Sequence, residues 1–200
     1  MPIAILTGFE PFRDYQANPS QQIAEQLDGC QVGELQVVGR ILPVEWEKDT
    51  DVLFPAIDAM RPALILSLGL AGHASYLWVE RLAVNLRAAE AGRHLPIVPD
   101  GPLAYLATID ADAVSQAMRD VGVPAQAHIY AGDYLCNHLL YQALHYCATR
   151  QLDTRVGFIH LPLSAEQAIA ENQIGTPVLP LETMLRGVRA ALDVCAAGIV

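Results

Sequence analysis

Ile3-Ala4-Ile5-Leu6-Thr7, followed by Asn18-Pro19-Ser20-Gln21-Gln22-Ile23-Ala24-Glu25-Gln26-Leu27-Asp28-Gly29 and then Leu35-Gln36-Val37-Val38-Gly39-Arg40-Ile41, decides the fold class. The outer pieces are short apolar runs with β-branched residues, the composition of buried strands. The middle piece has helical spacing. Asn18 is placed as N-cap, Pro19 stands at the first helical position, and Gln21 is spaced to close a capping box. Ile23 and Leu27 share one face, and Gly29 is the stop. Strand, amphipathic helix, strand is the βαβ unit of a parallel sheet.

The alternation continues along the chain. Further strands are expected at Ala63 to Leu68, Trp78 to Val84, Gln126 to Tyr130 and Arg155 to His160. Helices are expected at Trp46 to Met60, interrupted by Pro55, and after an Asp110 cap through Val114, Met118 and Val121. Two more run from Cys136 to Arg150 and from Pro180 to Cys195, the last with Met184, Leu185, Val188 and Leu192 inward. The reading is an α/β protein with a mostly parallel sheet covered on both faces. Ala88 to Pro102 and Gln167 to Pro180, broken by Gly and Pro, read as long surface loops. With 200 residues, 52% hydrophobic and 17% charged, and no internal repeat, one domain spanning 1–200 is expected.

Twelve basic against 22 acidic side chains leave a net charge of −10, which repels phosphate backbones and anionic headgroups, so neither nucleic acid nor a membrane is expected as partner. Every apolar run is stopped well before the roughly 20 residues of a spanning helix. The first residues carry no basic flank or small-residue cleavage site, so a cytoplasmic location is expected. The cysteines at 30, 136, 147 and 195 form no Cys-x-x-Cys pair and read as free thiols.

Cys136 opens a helix directly after the glycine turn Ala131-Gly132-Asp133-Tyr134. Unpaired backbone N–H groups and the positive end of the helix dipole favour a thiolate there, although a small buried hydrophobe is the commoner role of a free cysteine. His160 ends the Arg155 strand, where open α/β sheets place their ligands, and it can be a base or a turn residue satisfied by backbone. Glu80 lies in the apolar strand Leu77-Trp78-Val79-Glu80-Arg81-Leu82-Ala83-Val84, where a carboxylate needs a hydrogen-bonded partner. Arg81 points to the other face of a strand, so a histidine is the better partner. Thiol, imidazole and carboxylate form the generalised triad of acyl transfer. The other histidines show no metal-ligand spacing, so no metal and no cofactor are expected.

With these residues in view, the chain resembles the pyroglutamyl peptidase I family, cysteine peptidases that remove an N-terminal pyroglutamyl residue. The similarity is carried by Thr7-Gly8-Phe9-Glu10-Pro11-Phe12, Asn18-Pro19-Ser20, Leu42-Pro43-Val44, Gly69-Leu70-Ala71, Glu80-Arg81 with Ala83 and Asn85, and Pro99-Asp100-Gly101-Pro102. It continues through Gly132, Tyr134, Cys136, Asn137 and His138 to Gly157-Phe158-Ile159-His160-Leu161-Pro162. The resemblance implies Cys136 as nucleophile, His160 as general base and Glu80 as its orienting residue. It implies a lactam pocket formed by Phe9, Phe12 and Tyr134, with Asn18 beside them, and a peptide substrate with a blocked N-terminus. The fold it implies is the phosphorylase/hydrolase-like three-layer α/β/α sandwich with a mixed sheet, assembled as a homodimer or homotetramer.

Three places depart from the family pattern. His73-Ala74 replaces a Gly-Arg pair six residues before Glu80, Leu86 to Arg93 replaces an acidic, asparagine-bearing stretch, and Asp133 replaces a small hydroxyl residue. An anion three residues before Cys136 disfavours thiolate unless it is turned away or paired. The arginine's absence keeps open a related hydrolase or acyltransferase acting on another cyclic amide, and a catalytically silent binding relative is the third reading.

Overall fold

The computed structural model describes residues 1–89 and 92–197. The leading unit forms as its sequence requires: β1 (Ile3–Phe9), α1 (Pro19–Leu27) and β3 (Leu35–Leu42), with β1 and β3 parallel and Ile3 opposite Gln36. A short β2 (Gln31–Val32) folds back antiparallel on β3. Asn18 caps α1 by accepting from Ser20 N. The expected capping box does not close, because Gln21 Nε2 reaches along the surface to Glu25 Oε1 at 2.8 Å. Ser20 Oγ takes up the cap instead, donating to Asn18 Oδ1 at 2.8 Å and accepting from Phe9 N at 3.0 Å. Gly8 permits this approach, since a Cβ there would overlap the backbone of Ser20.

After α2 (Lys48–Met60), β4 (Leu64–Leu70) lies parallel to β1, and β10 (Arg155–Leu161) parallel to β4. The sheet then reverses. β5 (Leu77–Val84) is antiparallel to β10, with His160 opposite Trp78, and β9 (Ala125–Tyr130) is parallel to β5. β8 (Ala104–Leu106) adds to the far end of β5. The sheet order is β2-β3-β1-β4-β10-β5-β8, with β9 on the other edge of β5.

The two faces of the sheet carry separate cores. Ala4, Leu6, Leu64, Leu66, Leu68, Leu77 and Val79 pack on α1, α3 (Ala111–Asp120) and α6 (Leu181–Ala196) through side chains such as Ile23, Met118 and Val188. Ile5, Ile65, Val156 and Phe158 face α2 and α4 (Leu135–Thr149) through Leu53, Ile57, Leu139 and Leu140. The strict two-residue alternation along β1, β4 and β10 produces this three-layer sandwich.

Two expected loops contain structure of their own. Ala88 to Pro102 begins within a small hairpin of β6 (Arg87–Ala88) and β7 (His94–Leu95), with residues 90–91 outside the described set. Gln167 to Pro180 begins inside the short helix α5 (Ala165–Ala170), capped by Ser164, and ends on β12 (Val178–Leu179), which pairs with β11 (Leu163–Ser164). No described helix is long and apolar enough to cross a membrane.

Candidate active site

Strand alternation separates Glu80 from Arg81. Arg81 reaches Asp112 of α3 at 2.6 Å on one face, while Glu80, fully buried, turns to the other. There Glu80 Oε1 accepts from His160 Nδ1 at 2.7 Å. Glu80 Oε2 accepts from His128 Nδ1 at 2.9 Å.

Cys136 is the second residue of α4. The N-cap, Tyr134, makes no side-chain capping bond, so the first-turn amides are left free around the thiol. Asn137 fixes this end of the helix, accepting from Val84 N at 2.9 Å and donating to the carbonyls of Val84 and Leu86. Gly69 on β4 makes room for the sulfur, since a Cβ there would stand 2.8 Å from Cys136 Sγ.

His160 faces the thiol of Cys136 across the same cleft wall and is held by Glu80 from behind. Burial alone would lower its pKa, but the charge of Cys136, the hydrogen bond to it, and the hydrogen bond and charge of Glu80 prevail and push the imidazole up to about 10. A proton held that firmly on His160 is available to a leaving group at neutral pH. Cys147 and Cys195 differ: burial raises both thiols to about 11, against the opposing charges of Arg150 and Arg155. Cys30 rests its Sγ on the carbonyl of Gln26.

Beside the thiol lie two spaces that share Phe12, Leu70, Tyr134 and Cys136 as walls. A cleft of about 760 Å³ is lined by Phe12, Tyr15, His73, Trp78, His128 and Tyr134 among others. A hollow of about 50 Å³ is lined by Phe9, Phe12, Asn18, Val44, Leu70, Tyr134, Leu135 and Cys136. Phe9, Phe12 and Tyr134 therefore meet at one apolar recess with the sulfur at its edge. Asn18 touches the same recess, yet its amide is occupied within the protein: Oδ1 serves the α1 cap and Nδ2 donates to Glu10 O at 3.1 Å. Among the described residues, no group of three or more His, Cys, Asp or Glu is arranged to hold a metal ion.

A family model for pyroglutamyl peptidase matches residues 3–197. The chain belongs to the pyroglutamyl peptidase family. A pyrrolidone-carboxylate peptidase of Cupriavidus taiwanensis is 41% identical over 200 residues, covering 96% of this chain and 92% of the relative. One from Pyrococcus furiosus is 37% identical over 201 residues, covering 95% and 96%. The solved pyrrolidone carboxyl peptidase of Thermococcus litoralis superposes with a TM-score of 0.91 at 33% identity, covering 98% of this chain and 94% of that one. The family consists of cysteine peptidases that release an N-terminal pyroglutamyl residue, and this chain is a peptidase of that kind.

The departures from the family pattern have definite places. Asp133 is paired, its Oδ2 2.7 Å from His94 Nε2. Ala74 is buried in the turn after β4, its N–H donating to Ala71 O, and His73 lines the cleft edge-on to Trp78. The stretch from Leu86 to Arg93 carries β6 and ties to α2, with Arg87 2.8 Å from Glu47. His128 was not singled out in the sequence, because nothing in Gln126-Ala127-His128-Ile129-Tyr130 distinguishes it until the β5–β9 register sets it opposite Glu80.

Proposed function

We propose that Cys136, His160 and Glu80 form the catalytic group, and that the hollow of Phe9, Phe12 and Tyr134 receives the lactam ring of an N-terminal pyroglutamyl residue. The observation that carries this reading is the juxtaposition of a helix-start thiol beside His160, which is bonded to the buried Glu80, with a small recess lined by Phe9, Phe12 and Tyr134. Cys136 Sγ attacks the pyroglutamyl carbonyl carbon, and the oxyanion is stabilised by the free first-turn amides of α4. The C–N bond then breaks as His160 passes its proton to the leaving amine. Water gives a proton to His160, attacks the thioester and restores the thiolate, so the proton balance closes without a cofactor. Glu80 holds the His160 ring and its Nδ1 proton throughout.

A pyroglutamyl residue carries no charged α-amine, and an apolar recess penalises one that does by its desolvation cost. Asn18 contributes by anchoring the Glu10 carbonyl, which holds the turn carrying Phe12. The open cleft takes the peptide that follows the ring. The working unit is the single catalytic domain 1–200, assembled as a homodimer or homotetramer in the cytoplasm. Exposed Leu103, Leu106 and Ile129 along β8 and β9 and four free cysteines support that assembly and that compartment. Release of a chromogenic amine from its pyroglutamyl amide by the intact protein, and its loss in Cys136→Ser, tests the reading. Sedimentation tests the assembly.

A further inference from the structure

Glu80 has two oxygens and no contact with solvent, and a carboxylate in that position must have both satisfied. His160 meets one. The other is met by His128, and the sheet makes this contact rather than chance: β9 runs parallel to β5 with His128 directly opposite Glu80, so the two side chains leave adjacent strands on the same face. Two residues before Glu80, on that face, Trp78 stacks on the His128 ring at 4.6 Å and 22° and stands edge-on to His160 at 6.0 Å. One indole thus sets the plane of one imidazole and closes the side of the other. Both residues line the cleft, the His128 side chain 36% exposed and the Glu80 side chain with no accessible surface.

We propose that His128 is a positioning residue for the peptidase reaction: its Nδ1–H, held by the Trp78 stack, keeps Glu80 in the rotamer that aims Oε1 at His160. This rests on the roles assigned above to Cys136, His160 and Glu80. Without the second donor, a buried carboxylate oxygen is left bare, and the carboxylate gains by rotating to share its remaining partner. The His160 ring then loses its fixed orientation toward Cys136. The effect falls on the chemical step, because the lactam recess is lined by other residues.

The test separates the donor from the stack. His128→Phe keeps an aromatic ring for Trp78 but has no N–H. His128→Asn loses the ring but returns an N–H, since Nδ2 of asparagine occupies nearly the place of the histidine Nδ1. For hydrolysis of a pyroglutamyl reporter amide, His128→Phe lowers kcat about ten- to hundredfold with KM within about twofold, and His128→Asn recovers most of the loss. The rate of Cys136 alkylation by iodoacetamide, which needs no substrate, follows the same order, and circular dichroism confirms that each variant is folded. Wild-type kcat and alkylation in His128→Phe overturn the proposal, as does a His128→Asn enzyme no faster than His128→Phe. A native protein that cleaves no pyroglutamyl amide while the alkylation order holds overturns the substrate reading and leaves the role of His128 standing.

Discussion

Two buried histidine–carboxylate pairs flank the first turn of α4, and only one of them sits at a site. On the cleft side, His160 and His128 share Glu80 beside Cys136. Two residues further along the helix, His138 turns the other way, into the layer between α4 and α2, where its Nδ1 lies 3.0 Å from Asp49 Oδ2 with both side chains fully buried. Trp46 closes that second pair, its ring 5.4 Å from His138 and 5.3 Å from Tyr134, so the same indole backs one wall of the hollow proposed for the lactam. The chemical groups are nearly the same. What differs is access: the first pair touches a thiol and an open cleft, whereas the second has no accessible surface and joins two helices. A buried His–Asp pair is in itself only a staple, and it becomes a catalytic device when a nucleophile and a route for substrate reach it.

The largest expected effect breaks the first region alone. Cys136→Ser should lower kcat on the order of 10⁴-fold or more, since a hydroxyl is a far weaker nucleophile near neutral pH than a thiol. The unfolding midpoint should stay within a few degrees of wild type. Asp49→Ala should do the reverse. Removing one partner of a buried pair costs about 3 to 5 kcal/mol in urea unfolding, with kcat and KM of the folded fraction retained. An Asp49→Ala enzyme of unchanged stability and collapsed kcat would show that the second pair belongs to the chemistry after all.

Phe12→Ala comes next. It removes apolar contact made mainly to bound ring, about 1 to 3 kcal/mol, and should raise KM more than it lowers kcat. Unchanged kcat/KM would place the lactam elsewhere in the cleft.

The pH dependence follows from His160. Its folded pKa, about 10, lies above the 6.5 of a free imidazole, so the native state favours the protonated ring. The stabilisation is fully present below about 6.5 and is lost as pH rises through about 10. Activity should hold its alkaline limb to that region and then fall about tenfold per pH unit as the proton for the leaving amine disappears. Because the charge of Cys136 and the hydrogen bond to it lead the causes that raise this pKa, the His160 resonances in Cys136→Ser should titrate at lower pH than in wild type.

How much of this was legible in the residues varies by region. The β1–α1–β3 unit announces itself through Asn18, Pro19 and the Ile23–Leu27 face, because local chemistry decides it. The expected capping box gives way to Ser20, one residue from the expected partner, whose hydroxyl serves both Asn18 and Phe9 N. The short pieces α5, β11 and β12 carry too few residues for any period to show. The reversal at β5 is a tertiary choice. Its apolar run would serve either direction, and yet that choice places His128 beside Glu80 and gives the site its fourth polar side chain.

The smallest effect tests where the second region ends. Glu47, at the mouth of the His138–Asp49 pair, sets Oε2 3.4 Å from His138 Nε2 and Oε1 2.8 Å from Arg87, but its side chain is 56% exposed. Water already solvates much of that carboxylate, so its ion pair should be worth under about 1 kcal/mol. Glu47→Gln keeps the length, leaves the Glu47 carbonyl accepting from Thr50 Oγ1 and spares the Arg87 contact over Trp46. Urea unfolding should therefore shift by less than the Asp49→Ala loss by a wide margin, and kcat/KM should not move. A loss from Glu47→Gln comparable to that from Asp49→Ala would mean that the enclosed pair is in truth a triad, with His138 held from both ring nitrogens as firmly as Glu80 is held from both oxygens.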